Sequence, residues 1–333
     1  MHSDGFTTPV LMAIFNRPDT TKQVFDQVRA ARPQKLFVAA DAPRVDAPTD
    51  GELCENALSC VTEHIDWPCE LKVLRRSKNL GCKLSMSTAI SWFLDAVPAG
   101  IILEDDCVPS PSFFTFCEAM LARYQDDERI GHIGGFNCQH GRKRGSGSYY
   151  FSRLFHVWGW ATWRRAWQGY DAAIPDYTEF LRDEVLEDLF DIAIIRRFWK
   201  HNFDTVFEGS LDTWDYQWVY KNFKEGRLAI TPNTSLVRNI GFRGDATHTT
   251  NASLEMASIE AGDWEGDLPP TFVVPDRTAD AFTYKSHLGL PISENGMSSP
   301  SDICAYPAGE LWSALVSKGQ GKARRIARGF FRG

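Results

Sequence analysis

Three consecutive acids, Glu104, Asp105 and Asp106, follow directly on the apolar run Gly100–Leu103. Carboxylates this close repel one another, so the cluster is costly unless something offsets its charge. A hard divalent cation does so, taking one or two carboxylates and completing its shell with phosphate oxygens of a ligand. An ion held that way neutralises charge developing on a departing diphosphate. The plainer alternative is a solvated acidic turn, or a charge cluster ahead of the helix that Pro109 and Ser112 begin. A second group of interest is aromatic: Trp158, Trp160 and Trp163 fall within one short stretch. Flat aromatic faces suit the C–H faces of pyranose rings, although such clusters also build cores.

The elements that must position these residues alternate in type. Val10–Phe15 reads as a strand, and Pro18 opens a helix in which Thr20 to Gln23 form a capping-box pattern. Val24, Val28 and Ala31 give that helix an apolar face. Residues 35–40 and 71–74 read as the second and third strands. Met86, Ile90, Phe93 and Val97 mark another amphipathic helix, and Gly100–Leu103 is the fourth strand. Phe113, Phe116, Cys117, Met120 and Tyr124 mark the helix beginning at Ser112. Near-continuous apolar strands separated by helices predict a buried, largely parallel sheet, which binds ligands beyond the carboxyl ends of its strands. The residues following the four strands are Asn16-Arg17, Asp41, Arg75-Arg76 and the acidic triplet. Charged and polar groups thus converge on one edge.

The second half is read more coarsely. Residues 149–170 are dense in aromatics, 185–207 read as one long helix, and a helix led by residues 213–218 ends at Gly226. Residues 228–230 suggest a strand, 239–255 a polar loop and 290–310 a linker. The last residues, 318–332, are basic and carry Ile326, Phe330 and Phe331.

With 43% hydrophobic and 24% charged residues the chain reads as an ordinary globular protein. A net charge of -7 argues against a nucleic-acid partner. The N-terminus lacks the basic and apolar regions of a signal peptide, and no apolar run is long enough to span a bilayer. The eight cysteines are scattered without a CxxC pair, which disfavours a structural zinc site and suits reduced thiols of a cytoplasmic protein.

Residues 101–114, with the acidic triplet at their centre, resemble the metal-binding segment of GT-A glycosyltransferases. They are most similar to the N-acetylglucosaminyltransferase I type and to bacterial glycosyltransferase-like proteins that share a Glu-Asp-Asp block. The resemblance runs from about Pro9 to His248. It includes Asn16-Arg17, Asp41, Asn79-Leu80-Gly81 with Lys83, Trp158-Gly159-Trp160 and Trp214-Asp215.

This resemblance implies a GT-A fold, a Rossmann-like mixed, mainly parallel sheet flanked by helices. It implies a nucleotide-sugar-binding half over residues 1–130, an acceptor-binding half over 131–290, and a linker and basic tail over 291–333. The implied activity is inverting transfer of a sugar, N-acetylglucosamine first, from a UDP-sugar donor to a glycan, glycolipid or polysaccharide-precursor hydroxyl. Arg17, Asp41, Lys83, Glu104, Asp105, Trp214 and Arg243 would hold the donor. Asp106, with His248, would hold Mn2+ or Mg2+, and Trp158 and Trp160 would line a sugar subsite. Asp215 would be the general base that inversion requires. Its alternative role is a first-turn helix acid, with Asp212 the fallback base. The basic tail suits peripheral contact with anionic lipid at the inner membrane face, or a solvated end. Two other readings remain: a catalytically inactive nucleotide-sugar-binding protein, and a nucleotidyltransferase of related fold. The latter usually carries a Gly-rich loop after its first strand, and residues 15–19 have none.

Overall fold

The computed structural model describes residues 6–242 and 258–292. The chain opens as β1 (Val10–Ile14), α1 (Pro18–Ala31), β2 (Lys35–Ala40), α2 (Asp50–Thr62), β3 (Glu70–Arg75), α3 (Gly81–Ala96) and β4 (Ala99–Glu104). There follow β5 (Cys107–Pro109), α4 (Pro111–Arg123), β6 (Ile130–Gly134), β7 (Tyr149–Ser152), β8 (Trp160–Trp163) and α5 (Arg164–Trp167). The described chain continues through α6 (Tyr177–Arg182), α7 (Val185–Leu189), α8 (Ala193–Phe207), α9 (Asp215–Lys224), β9 (Leu228–Pro232), β10 (Val237–Asn239) and α10 (Arg277–Ser286).

Eight strands form one sheet in the order β3-β2-β1-β4-β8-β6-β9-β7. β1, β2, β3 and β4 are parallel, β8 opposes both of its neighbours and β7 opposes β9. The remaining six strands share one direction, and helices flank the sheet. This is the Rossmann-like mixed, mainly parallel architecture expected from the sequence. β4 pairs with β8 across residue 130, and one hydrophobic core draws on both sides of that position.

The core explains which runs became strands. β1 and β4 are buried almost throughout because they lie inside the sheet, where a continuous apolar run is the stable choice. β3 departs from that expectation: it is the sheet edge, and most of its residues are exposed or partly so. Lys72 and Arg75 on that edge discourage pairing with another chain. The predicted capping box does not form. The first α1 residue is Pro18, so Thr20 lies inside the helix, where it and Thr21 donate to the Arg17 carbonyl at 3.2 and 2.7 Å. The single helix expected over 185–207 is two, α7 and α8, separated where Phe190 and Ile192 adopt extended backbone.

The aromatic second half is largely core. Trp160 and Trp218 are fully buried, and Trp160 stacks on Trp214 with ring centres 5.6 Å apart. Each such side chain contributes about 1.5–3 kcal/mol through its burial. Among the described residues no helix is long and apolar enough to cross a membrane, and the described cysteines are free thiols.

Candidate active site

The acidic triplet begins inside β4, whose last residue is Glu104, beside Ala13 of β1. The chain then turns through Asp105 and Asp106 into β5. That short strand pairs antiparallel with β10, placing Cys107 opposite Asn239. The Ile240 amide donates to the Asp106 carbonyl at 2.8 Å, so a segment far along the chain closes over the turn.

Arg17 reaches the same turn from the start of α1. Its guanidinium donates to the Asp105 carboxylate and, at 2.8 Å, to Asp106 Oδ2. The Phe15 amide adds a bond of 3.2 Å to Asp105 Oδ2. Burial works against the charge on Arg17, but Asp105 and Asp106 outweigh it and hold the guanidinium pKa above its ordinary value. Burial raises the Asp105 carboxyl to about 6 while Arg17 pulls it back down. Glu104 is pushed well above the usual carboxylate range, first by burial and then by Asp106 and Asp105. Part of the charge compensation that the sequence assigns to a metal is therefore supplied by Arg17.

Behind Arg17 lies a support that sequence reasoning missed. Asn16 donates to Asp50 Oδ1 at 2.8 Å, and Arg44 donates to the two Asp50 oxygens at 2.6 and 2.9 Å. Asp50 is buried, and Arg44 lowers its pKa to about 2. This network ties the loop after β1 to the start of α2. Nothing in the sequence spacing of Asn16, Arg44 and Asp50 announces it.

Beside this turn lies a cleft of about 490 Å3, and its walls come from widely separated parts of the chain, from Arg17 to Leu288. Arg17, Glu104 and Asp106 line it, as do Trp158, Trp214 and Asp215. Asp215 is the first residue of α9, where unpaired helix N–H groups favour negative charge. Thr213 donates its hydroxyl to Asp215 Oδ1, and the Tyr216 amide bonds the same oxygen at 3.0 Å. Asp215 Oδ2 makes no hydrogen bond to the described residues. Trp214 is held beneath by Trp160, and its carbonyl accepts the Tyr170 hydroxyl at 2.9 Å.

Other predicted residues lie elsewhere. Trp160 does not line the cleft: it is fully buried, packed between His132 and Trp214, so a direct sugar contact is closed to it. Asp105 is 2% exposed and faces Arg17 rather than the cavity. Asp41 is nearly buried and already accepts from the Ala42 and Leu80 amides and from Asn79, at 2.9–3.2 Å. Burial raises its pKa. Lys83 sits in the first turn of α3, outside the cavity lining. Asp212, the fallback base, caps that helix by accepting from the Cys82 and Lys83 amides at 3.0 and 3.1 Å. Gly81, at a φ of +73°, brings the backbone close enough for this contact. Arg243, His248 and the basic tail lie outside the described residues.

Several lining residues were not anticipated: His156, Trp199, Asn239 and His287. His287 ends a helix, α10, that the sequence reading did not find. His156 lies between β7 and β8 in the aromatic segment.

A divalent ion at this turn would have to bind through Asp106 and the phosphate oxygens of a ligand. Among the described residues no three His, Cys, Asp or Glu side chains cluster as a metal cage. An ion bound by one carboxylate plus phosphate oxygens requires none. Gly241 packs directly against Asp106: a Cβ there would run into its carboxylate, with Cγ only 2.8 Å away.

No protein-family model matches the chain, and no curated protein matches it. Among solved structures it is similar to UDP-glucose pyrophosphorylase complexed with UDP-glucose, at 11% identity, a TM-score of 0.25 and 44% coverage of this chain. The match spans about six-tenths of that protein, 62% of its length. The apo form of a UDP-glucose pyrophosphorylase overlaps at 9% identity and a TM-score of 0.33, over 68% of this chain and 90% of the other. Both overlaps are loose.

Proposed function

We propose that this protein is an inverting glycosyltransferase that uses a nucleotide-sugar donor, with a UDP-sugar, first UDP-N-acetylglucosamine, the leading candidate. The observation that carries the reading is that Asp106 and Asp215 line one cleft at the carboxyl edge of the sheet. The chemistry needs both: a site for the donor diphosphate and, across from it, a base for the acceptor hydroxyl.

In this reading Asp106 would hold a divalent ion, Mn2+ or Mg2+, with donor phosphate oxygens completing its shell, and His248 is a candidate second ligand. The ion, when bound, supplies charge neutralisation at the leaving diphosphate. Arg17, held by Asp105, keeps a positive charge beside the same position. Trp214 forms the cleft wall next to Asp215. The Oδ1 atom of Asp215 is fixed by Thr213 and the Tyr216 amide, which leaves Oδ2 to take the proton of an acceptor hydroxyl as its oxygen attacks the donor sugar. Asp41, Lys83 and Arg243 are kept as candidates for the nucleotide end, and contact of the basic tail with anionic lipid as a candidate for locating the enzyme.

Calorimetric titration of UDP- and GDP-sugars, with and without Mn2+, tests the donor site. Metal-dependent binding of one donor, lost in Asp106→Ala, is expected. Absence of binding by every nucleotide sugar would remove the main support. Incubation with UTP and a sugar 1-phosphate separates the nucleotidyltransferase reading, which requires release of pyrophosphate.

A further inference from the structure

The cleft extends beyond the residues assigned above. Away from the carboxylates its wall is built by the segment entering β8, by α8 and by the end of α10, with His156, Trp158, Trp199 and His287 as the side chains of most chemical interest. His156 and His287 have ring centres 5.6 Å apart, and the Trp158 indole lies 6.2 Å from His287. Trp158 is propped edge-on by Phe136, with ring centres 4.6 Å apart, so its orientation is fixed by packing.

Two properties of this end restrict what it can receive. The first is charge. Arg17 is the single Lys or Arg among the described lining residues, and it is committed to Asp105 and Asp106, while Glu104, Asp106 and Asp215 supply carboxylates. Burial lowers the pKa of His156 to about 3 and that of His287 to about 4, so both imidazoles are neutral near pH 7. Among the described lining residues an anionic group at this end finds no Lys or Arg left unpaired, which opposes its binding. The second property is unused hydrogen-bonding capacity. His287 Nδ1 is buried and has no hydrogen-bond partner among the described residues, which is costly unless a ligand supplies one. A neutral imidazole offers one donor and one acceptor, the pattern that complements a hydroxyl group.

We propose that His156, Trp158 and His287 form the acceptor subsite and that it selects an uncharged, hydroxyl-bearing sugar ring over a uronic or sialic acid. The ring's C–H face rests on the Trp158 indole and its hydroxyls bond the two imidazoles. The proposal rests on the glycosyltransferase reading, because the subsite matters for transfer only if the carboxylate end holds a donor.

The experiment uses the full chain and saturation-transfer NMR with a panel of methyl glycosides: neutral glucoside, galactoside, mannoside and N-acetylglucosaminide, and anionic glucuronide and sialoside. At least one neutral glycoside is expected to receive saturation, the anionic pair at least tenfold less. His287→Ala and Trp158→Phe should each weaken the neutral signal severalfold, and His287→Gln, which keeps a donor and an acceptor, should weaken it less than His287→Ala. Thermal unfolding of each variant confirms that it is folded, and the contrast among glycosides on the unaltered protein needs no variant. Equal or stronger binding of the anionic glycosides overturns the proposal, as does absence of binding by all of them. Neutral signals unchanged in both His287→Ala and Trp158→Phe also overturn it. A parallel UDP titration keeps the two readings apart. Glycoside binding without UDP binding refutes the donor site and leaves this subsite standing. UDP binding with no glycoside binding does the reverse.

Discussion

Arg17 invites the most direct test of how the site is held together. Its guanidinium serves two carboxylates, and the three side chains are 20%, 3% and 13% exposed for Arg17, Asp105 and Asp106. Arg17→Met keeps the aliphatic stem and removes the charge. Asp105 is then a buried acid with one remaining hydrogen bond, from the Phe15 amide at 3.2 Å. Removing one partner of a buried pair costs about 3–5 kcal/mol, most of it the uncompensated charge left behind. The loss should therefore be conditional. In Arg17→Met/Asp105→Asn the stranded charge is gone, and the double variant should recover about 2 kcal/mol relative to Arg17→Met. Urea unfolding at pH 8, extrapolated linearly, reads both quantities. A loss below about 1 kcal/mol for Arg17→Met, or a double variant no more stable than that single one, would refute the charge-compensation argument. Because a divalent ion would occupy the place the guanidinium leaves, Mn2+ should raise the unfolding midpoint of Arg17→Met more than that of the unaltered protein.

Further expectations follow from the same geometry. Asp215→Asn should lower kcat by about 100- to 10,000-fold in a donor-turnover assay while metal-dependent donor binding persists, whereas equal loss of both would move Asp215 out of the base role. Asp212→Ala should remove the cap of α3 and cost about 1 kcal/mol of stability in denaturant unfolding, with a smaller effect on kcat than Asp215→Asn. Gly241→Ala would push a Cβ into the Asp106 carboxylate and should weaken Mn2+-dependent donor binding at least about tenfold by calorimetry, a change of about 1.4 kcal/mol. His132 is fully buried, and burial lowers its pKa to about 3; since the folded value lies below the unfolded value of 6.5, its contribution is complete above pH 6.5 and is lost as pH falls toward 3. The stability difference between the unaltered protein and His132→Gln should therefore shrink by about 2.5 kcal/mol between pH 7 and pH 4.5, as read by denaturant titration at each pH.

The first half was legible because its strands are short apolar runs closed by polar residues, and a parallel sheet collects those residues at one edge. β2 has the bounds read from sequence, β1 is one residue shorter than read, and β4 is one residue longer at each end. The one-residue shift matters at Glu104, which belongs to the strand rather than the turn. The second half resisted for a physical reason. β8 is buried along its whole length between β4 and β6, so its sequence has no alternation to read. Trp158 and Trp160 look equivalent in the sequence, yet one lies in the cleft wall and the other inside the sheet. α10 stayed hidden because its Ala, Thr, Tyr and Phe residues form no strong apolar stripe, although Asp276 caps it by accepting from the Ala279 amide at 2.8 Å.

Charge shows where sequence reasoning stops. Adjacent acids imply that something positive must stand near Asp105 and Asp106, but adjacency cannot say what. A metal is the answer that requires no second element of the chain. The fold brings Arg17 from nearly ninety positions away, and that pairing depends on β1 lying directly beside β4. A similar ambiguity separates Asp212 from Asp215. Both precede or begin the same helix, and either type suits an N-terminal turn. Asp212 turns toward the amides of α3, whereas Asp215 keeps Oδ2 clear of hydrogen bonds to the described residues within the cleft. Any cation approaching Asp106 must also reckon with Arg17, since both seek the same oxygen. Donor phosphates can relieve that competition by giving the guanidinium other oxygens to bind, so metal and nucleotide should bind cooperatively.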